Sequence, residues 1–378
     1  MKLKDWIILG FILGLYLLSL FLFKREIFSF KFDKTLLNRY FVSQDIPQEV
    51  KGRLFLSDGE VYLATGYLYA TGSDPAQFNF EHPPLIKYLF GLSVLLFNNP
   101  YVVQMLFGML VLSLTYFLGL KMYKNRIISF SACLLLVIDP LFLDVSSQPL
   151  LDMGQAVFML LYTLAIFYYP NNFIFQGVAL ALFAGTKFWV TPLFFVGLFA
   201  VFNFYKKKLN LKNFILHLFV ALCVYSLFYL KTFIDIGGNF NILFFLLKVL
   251  KYRLVHNASS FFGSSFLLFT TGFFKSWWGK EGFLIGNIWF VLWPISLIVN
   301  TAQGALDVVK KKISIQTLVA LIPLSYLIFL GVQAPFQRYF LIILPFSYLT
   351  LSKWFFSVLV EMPRIERGSG ETLIKKFS

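Results

Sequence analysis

Glu81-His82-Pro83-Pro84-Leu85, with Lys87 two residues on, gathers an acid, an imidazole and an ammonium in a chain that is 58% hydrophobic. Ionisable groups are costly near a bilayer, so their clustering in such a chain points to function. The two prolines remove backbone donors and stiffen the entry to the segment that follows, fixing the side chains before them. His82 and Lys87 could then face an anionic group. The bland alternative is a proline-started interfacial helix with a solvated acidic cap. Upstream, Ser57-Asp58-Gly59-Glu60-Val61-Tyr62 supplies a carboxylate that could act as general base on a hydroxyl. Equally, Ser57 or Asp58 could cap a helix beginning at Gly59.

Other candidates lie further along. Asp152 opens an apolar run as Leu150-Leu151-Asp152-Met153-Gly154 and therefore needs a partner. Asp139 and Asp144 compete with it, although Asp139-Pro140 reads as a helix-end turn. Lys187 stands between two apolar runs in Gly185-Thr186-Lys187-Phe188-Trp189, where a lysine either snorkels to the interface or binds phosphate. The stretch 233–282 carries Tyr252, Arg253 and His256, then Lys275-Ser276-Trp277-Trp278. The paired tryptophans suit an interfacial belt, or a platform against a sugar or prenyl chain. Gln337-Arg338-Tyr339, before the last apolar run, could clamp phosphate or anchor a helix. A divalent metal at Asp58, Glu81 or Asp152 would suit the chemistry of carboxylates, but no spacing demands one.

These groups must be positioned by helices in lipid. Only 13% of the 378 residues are charged, 49 are Phe, and the mean hydropathy is +0.75. A soluble domain of this size carries about 25% charged residues. The apolar runs are continuous rather than alternating, so the class is an all-α polytopic membrane protein and not a barrel. Runs near 6–23, 101–120, 127–143, 151–169, 172–187, 188–204, 211–232, 283–300, 314–331 and 337–358 predict about ten spanning helices. The short run 84–98 is laid in the interface. Cys133 and Cys223 each sit in an apolar run and read as small core residues.

Charge predicts the orientation. Lys and Arg number 33 against 18 Asp and Glu, and they cluster at Lys121, Lys124 and Arg126, at Lys206, Lys207, Lys208 and Lys212, and at Lys310, Lys311 and Lys312. This is the positive-inside pattern, which favours contact with lipid head groups over nucleic acid. It leaves 24–100 and 233–282 as extracytoplasmic loops of a domain spanning 1–360, followed by a basic cytoplasmic tail at 361–378. Lys24 and Arg25 run against the pattern, since they flank the first run on the outer side.

Six segments in order resemble the protein O-mannosyltransferase family and its relative, the lipid A aminoarabinose transferase, both of glycosyltransferase C fold. They are Asp58 with Tyr62, His82 to Leu85 with Lys87, Leu151-Asp152, Gly185-Thr186-Lys187-Phe188, Ser276-Trp277-Trp278 and Arg338-Tyr339. Gly59 and Gln148 depart from the pattern, which has Glu beside the first Asp and often Arg four residues before the second. The resemblance implies inverting transfer of a sugar from a polyprenyl phosphate, dolichyl or undecaprenyl, to a hydroxyl on a protein, glycan or lipid. It implies Asp58 as base, with Asp152 holding a neighbouring cation or the acceptor. His82, Lys87, Lys187 and Arg338 would meet the donor phosphate. Glu60, Tyr62, Glu81, His256, Trp277, Trp278 and Tyr339 would line the substrate site. A transporter or flippase of a lipid-linked sugar is the rival reading, and a non-catalytic member of the same fold is another. A transporter favours ionisable groups near midplane, whereas these cluster at the outer ends.

Overall fold

The computed structural model describes residues 3–46, 53–238, 241–255, 258–276 and 282–374. The chain opens with α1 (Leu3–Phe23) and two short helices, α2 (Glu26–Ser29) and α3 (Thr35–Phe41). A close pair follows, α4 (Asp58–Ala70) and α5 (Leu85–Phe97). Their contact depends on Gly66 and Gly91: a Cβ on Gly91 would run into the Gly66 carbonyl. Next come α6 (Tyr101–Tyr123), α7 (Arg126–Ile138), α8 (Pro140–Ser146) and α9 (Leu151–Tyr168). Then α10 (Phe173–Ala184), α11 (Val190–Tyr205) and α12 (Leu211–Leu227) pass back and forth. Shorter pieces bridge to the last helices: α13 (Leu230–Asp235), α14 (Asn241–Val255) and α15 (Ser264–Thr271). The hairpin of β1 (Phe273–Lys275) and β2 (Phe283–Ile285) precedes α16 (Leu292–Val309) and α17 (Ile315–Leu330). A 3-10 turn over Gln337–Ile342 leads into α18 (Leu344–Ile374).

Among the described residues, α1, α6, α9 and α16 are long and apolar enough to cross a membrane. The α7–α8 pair, bent by 67°, adds a fifth. Five more apolar helices, α5, α10, α11, α12 and α17, have 10–17 residues each. The chain is a multi-pass membrane protein. Its expected spans are revised in three places. The bend between α7 and α8 falls at Asp139, whose carboxylate accepts from the Leu141 and Phe142 amides. Pro140 then supplies the first residue of α8, as a proline without an amide proton can. The 283–300 run begins as β2 paired antiparallel with β1, because a short apolar run suits strand and helix alike. The last span starts in the 3-10 turn rather than as α-helix.

The bundle has two chemically distinct ends. Lys206 Nζ donates to the Ile313 carbonyl at 2.9 Å and Gln316 to the Met122 carbonyl at 2.9 Å, so the lysine-rich turns share one end. The carboxylates at the starts of α4 and α9 lie at the other. Lys24, against the charge pattern, is matched there by Asp144 at 3.5 Å, and Arg25 lies over the Phe21 ring at 5.5 Å.

Candidate functional site

The capping choice at α4 decides what Asp58 does. Ser57 takes the N-cap: its hydroxyl accepts from the Glu60 amide and the Glu60 carboxylate accepts from the Ser57 amide. This reciprocal pair satisfies the first free amides of the helix. Glu60 also meets Arg39 at 2.8 Å. Asp58 is thereby left out of the cap. Its side chain is about half exposed, and Oδ2 lies 2.5 Å from Arg338 Nη2.

Arg338 reaches from the 3-10 turn between two carboxylates. Its Nε is 3.8 Å from Asp152 Oδ2 and, though buried, makes no hydrogen bond. Asp152 is 3% exposed at the first turn of α9, and its Oδ1 accepts from Lys187 Nζ at 2.5 Å. Lys187 lies in the turn between α10 and α11, with its ammonium 4.3 Å from the centre of the Tyr339 ring. Four charged side chains thus alternate in sign: Asp58, Arg338, Asp152 and Lys187. Burial pulls the Lys187 ammonium down to about 8, against the raising effect of Asp152.

A second cluster adjoins the first. Arg253, on α14, donates to the His82 ring at 2.8 Å and to the Glu81 carbonyl at 3.1 Å. It also faces the Glu81 carboxylate at 3.5 Å and lies over the Phe188 ring at 5.4 Å. Burial, then the Arg253 charge, hold His82 well below the usual imidazole range, so it is neutral at pH 7 and can accept from Arg253. Tyr62 meets the His82 ring edge-on at 5.6 Å between centroids and joins the two clusters.

Two cavities open here. Asp58, Glu60, Arg39 and Arg338 line a cleft of about 590 Å³, together with Phe30, Phe32 and Phe336. Glu81, Pro83 and Trp189 stand at the edge of an apolar cavity of about 620 Å³ between α10, α11, α12 and α14. The arrangement can take a proton at Asp58, present cations to an anion, and lodge an apolar chain.

The structure brings together Asp58, Asp152, Lys187, Arg338, Tyr339, Tyr62, His82 and Glu81. Lys87 is elsewhere in role: it is fully buried, and its ammonium donates among the Asn79 carbonyl and side chain, the His82 carbonyl and Tyr69. It ties down the loop instead of facing an anion. Glu60 has its oxygens engaged by Ser57 and Arg39. His256, Trp277 and Trp278 lie outside the described residues. Among the described residues no three acidic, His or Cys side chains converge as metal ligands. Asp58 and Glu81 each face a guanidinium. Gly59 fits its place tightly, since a Cβ there would press the Pro149 ring at 3.1 Å. Gln148 donates to Asp144 at 2.7 Å.

Arg253, one of the candidates of 233–282, is the residue to which sequence reasoning gives no role in the site. A signal existed: it is the only arginine between Arg126 and Arg338, in a loop placed on the outer side.

No protein-family model matches the chain, and no curated protein matches it. Two solved structures do. The crystal structure of ArnT from Cupriavidus metallidurans bound to undecaprenyl phosphate aligns with a TM-score of 0.58 at 15% identity. It covers 84% of this chain and 58% of its own. The apo ArnT structure from the same organism gives 0.56 at 13%, covering 84% and 57%. The chain therefore spans just under three-fifths of the length of these relatives. The likeness shows the fold alone: a helical membrane bundle like that of ArnT.

Proposed function

We propose that the chain transfers a sugar from a polyprenyl phosphate to a hydroxyl acceptor, with the site on the extracytoplasmic face. The observation that carries this is Asp58, a half-exposed carboxylate lining a cleft, joined through Arg338 to the buried Asp152–Lys187 pair beside an apolar cavity. One ArnT structure binds undecaprenyl phosphate, and an apolar cavity whose edge residue Glu81 faces Arg253 suits a donor of that kind. The opposite end carries the lysine turns, which the positive-inside rule assigns to the cytoplasm.

The chemistry follows from the charges. The acceptor hydroxyl loses its proton to Asp58 as its oxygen attacks the anomeric carbon from the face opposite the phosphate. The new C–O bond forms while the bond to the phosphate oxygen breaks, inverting the centre. The electron pair leaves on the lipid phosphate. Arg338 and Lys187 stabilise that charge in a site of low dielectric, a contribution of about 100- to 1000-fold per donor in comparable cases. Arg338 also couples binding to activation. A phosphate that competes for its guanidinium draws it from Asp58 and releases the carboxylate to act as base. His82, neutral, orients Arg253 beside the phosphate. Asp152 holds Lys187 and Arg338 in place.

The test is sugar transfer by the purified protein in detergent, with labelled undecaprenyl-phosphate sugars and mixed hydroxyl acceptors. Asp58→Asn should lower turnover by about 100- to 10,000-fold. Transfer that survives undiminished would remove Asp58 from the role of base. Uptake of a lipid-linked sugar, with no transfer by either protein, would return the transporter reading.

A further inference from the structure

Asp58 and Arg338 line the cleft of about 590 Å³, and neither lines the apolar cavity. On the reading proposed above, on which this inference rests, the donor lipid takes the apolar cavity. The acceptor then reaches Asp58 through the cleft, and the chemistry of the cleft decides the class of acceptor. Its size falls within the range of about 300–1,000 Å³ usual for small-molecule sites. Its walls are the segment from α2 to α3, the start of α4, residues 148–150 and the start of the 3-10 turn.

The charges of the lining cancel. Lys31, Arg39 and Arg338 stand against Asp33, Asp58 and Glu60, and Gly59 and Gln148 add no charge. Two pairs are already made, Arg39 with Glu60 at 2.8 Å and Arg338 with Asp58 at 2.5 Å. An anionic acceptor would have to part Arg39 from Glu60, and a cationic one would have to part the carboxylates from their arginines. A hydroxyl does neither, because it donates to a carboxylate and accepts from a guanidinium at once. Arg39 and Asp58 are each about half exposed, so both pairs can be reached. Much of the apolar lining is aromatic. Phe30 meets Tyr101 edge-on at 5.0 Å, and the Arg338 guanidinium lies over the Phe336 ring at 4.9 Å. The apolar cavity, by contrast, is lined mostly by leucine and alanine. Held rings beside paired donors and acceptors suit a pyranose, with its apolar C–H face and rim of hydroxyls.

We propose that the acceptor is an uncharged glycan, bound in this cleft by Phe30, Phe336 and Arg39. One of its hydroxyls gives its proton to Asp58, and that oxygen takes the sugar, so the products are a lengthened glycan and a lipid phosphate. Two measurements on the full chain in detergent test this. Calorimetry without donor titrates maltotriose, mannotriose and cellotriose beside the anionic trigalacturonate. At least one neutral trisaccharide should bind more tightly than trigalacturonate, and R39Q and F30A should each weaken it about tenfold. K310Q, at the opposite end of the bundle, should leave it unchanged. Binding of no neutral trisaccharide, tighter binding of trigalacturonate, or equal losses in all three variants overturns the glycan site. Transfer from labelled undecaprenyl-phosphate sugars is then followed to the bound trisaccharide, to a Ser/Thr peptide and to phosphatidylglycerol. Label on the trisaccharide supports the proposal. Label on the peptide or the lipid alone overturns it and leaves the transferase reading standing. Trisaccharide bound with that pattern, but no donor cleaved, supports the glycan site and tells against the transferase reading instead.

Discussion

Asp139 and Asp152 both start helices within apolar surroundings, yet they are held by opposite kinds of partner. Asp139 is met by neutral donors: the amides of Leu141 and Phe142, the Trp293 indole at 2.9 Å and the Tyr348 hydroxyl. Asp152 is met by two cations, Lys187 and Arg338. A carboxylate closed in by neutral donors fixes a bend and has nothing to exchange. One held by cations sits in a charge network that an incoming phosphate can compete for. Lys87 and Lys187 repeat the contrast. The first gives its protons to its own loop, and the second to a carboxylate beside the cavities.

The largest effect should separate the two aspartates. Asp152→Asn should lower transfer per folded molecule by about 100- to 1000-fold, through the loss of a fixed Lys187 and Arg338. Asp139→Asn should instead cost about 2–3 kcal/mol of stability, read from thermal unfolding, with transfer per folded molecule nearly retained. An equal loss of transfer in both would dissolve the distinction.

The two lysines offer a sharper version through pH. Protonated Lys187 attracts phosphate, so kcat/KM for the donor should fall as pH rises through about 8. Lys187→Arg, with a guanidinium that stays charged, should move that fall to higher pH. Lys87→Met should keep the fall near the same pH while destabilising the protein by about 2 kcal/mol, through the acceptors left buried. A vanished limb in Lys87→Met would move the role from one lysine to the other.

The smallest effect concerns the cap that frees Asp58. Ser57→Ala should cost about 1 kcal/mol of stability, and its effect on transfer should be far below that of Asp58→Asn. If both variants lose transfer alike, Asp58 acts through the helix end and not as a base.

Much of this was legible from residue order. Continuous apolar runs specify helices in lipid, because every backbone polar group there must be satisfied within its own segment. The six ordered segments resembled the lipid A aminoarabinose transferase among others, and the structural comparison aligns the chain with the fold of ArnT. Asp139-Pro140 read as a helix end, which the cap and the 67° bend bear out. The apolar run at 283 misled because strand and helix share its composition, and only pairing with β1 distinguishes them.

By itself, the sequence determined the lipid environment, the helical class and the sidedness of charge, since composition and local periodicity suffice for these. Which ionisable groups meet was decided only by the tertiary structure. Asp58 and Arg338 are 280 residues apart, and Arg253 reaches His82 across 171. No local pattern carries such contacts: they depend on how helices pack, and packing alone spent Lys87 on a loop while leaving Lys187 beside the cavities.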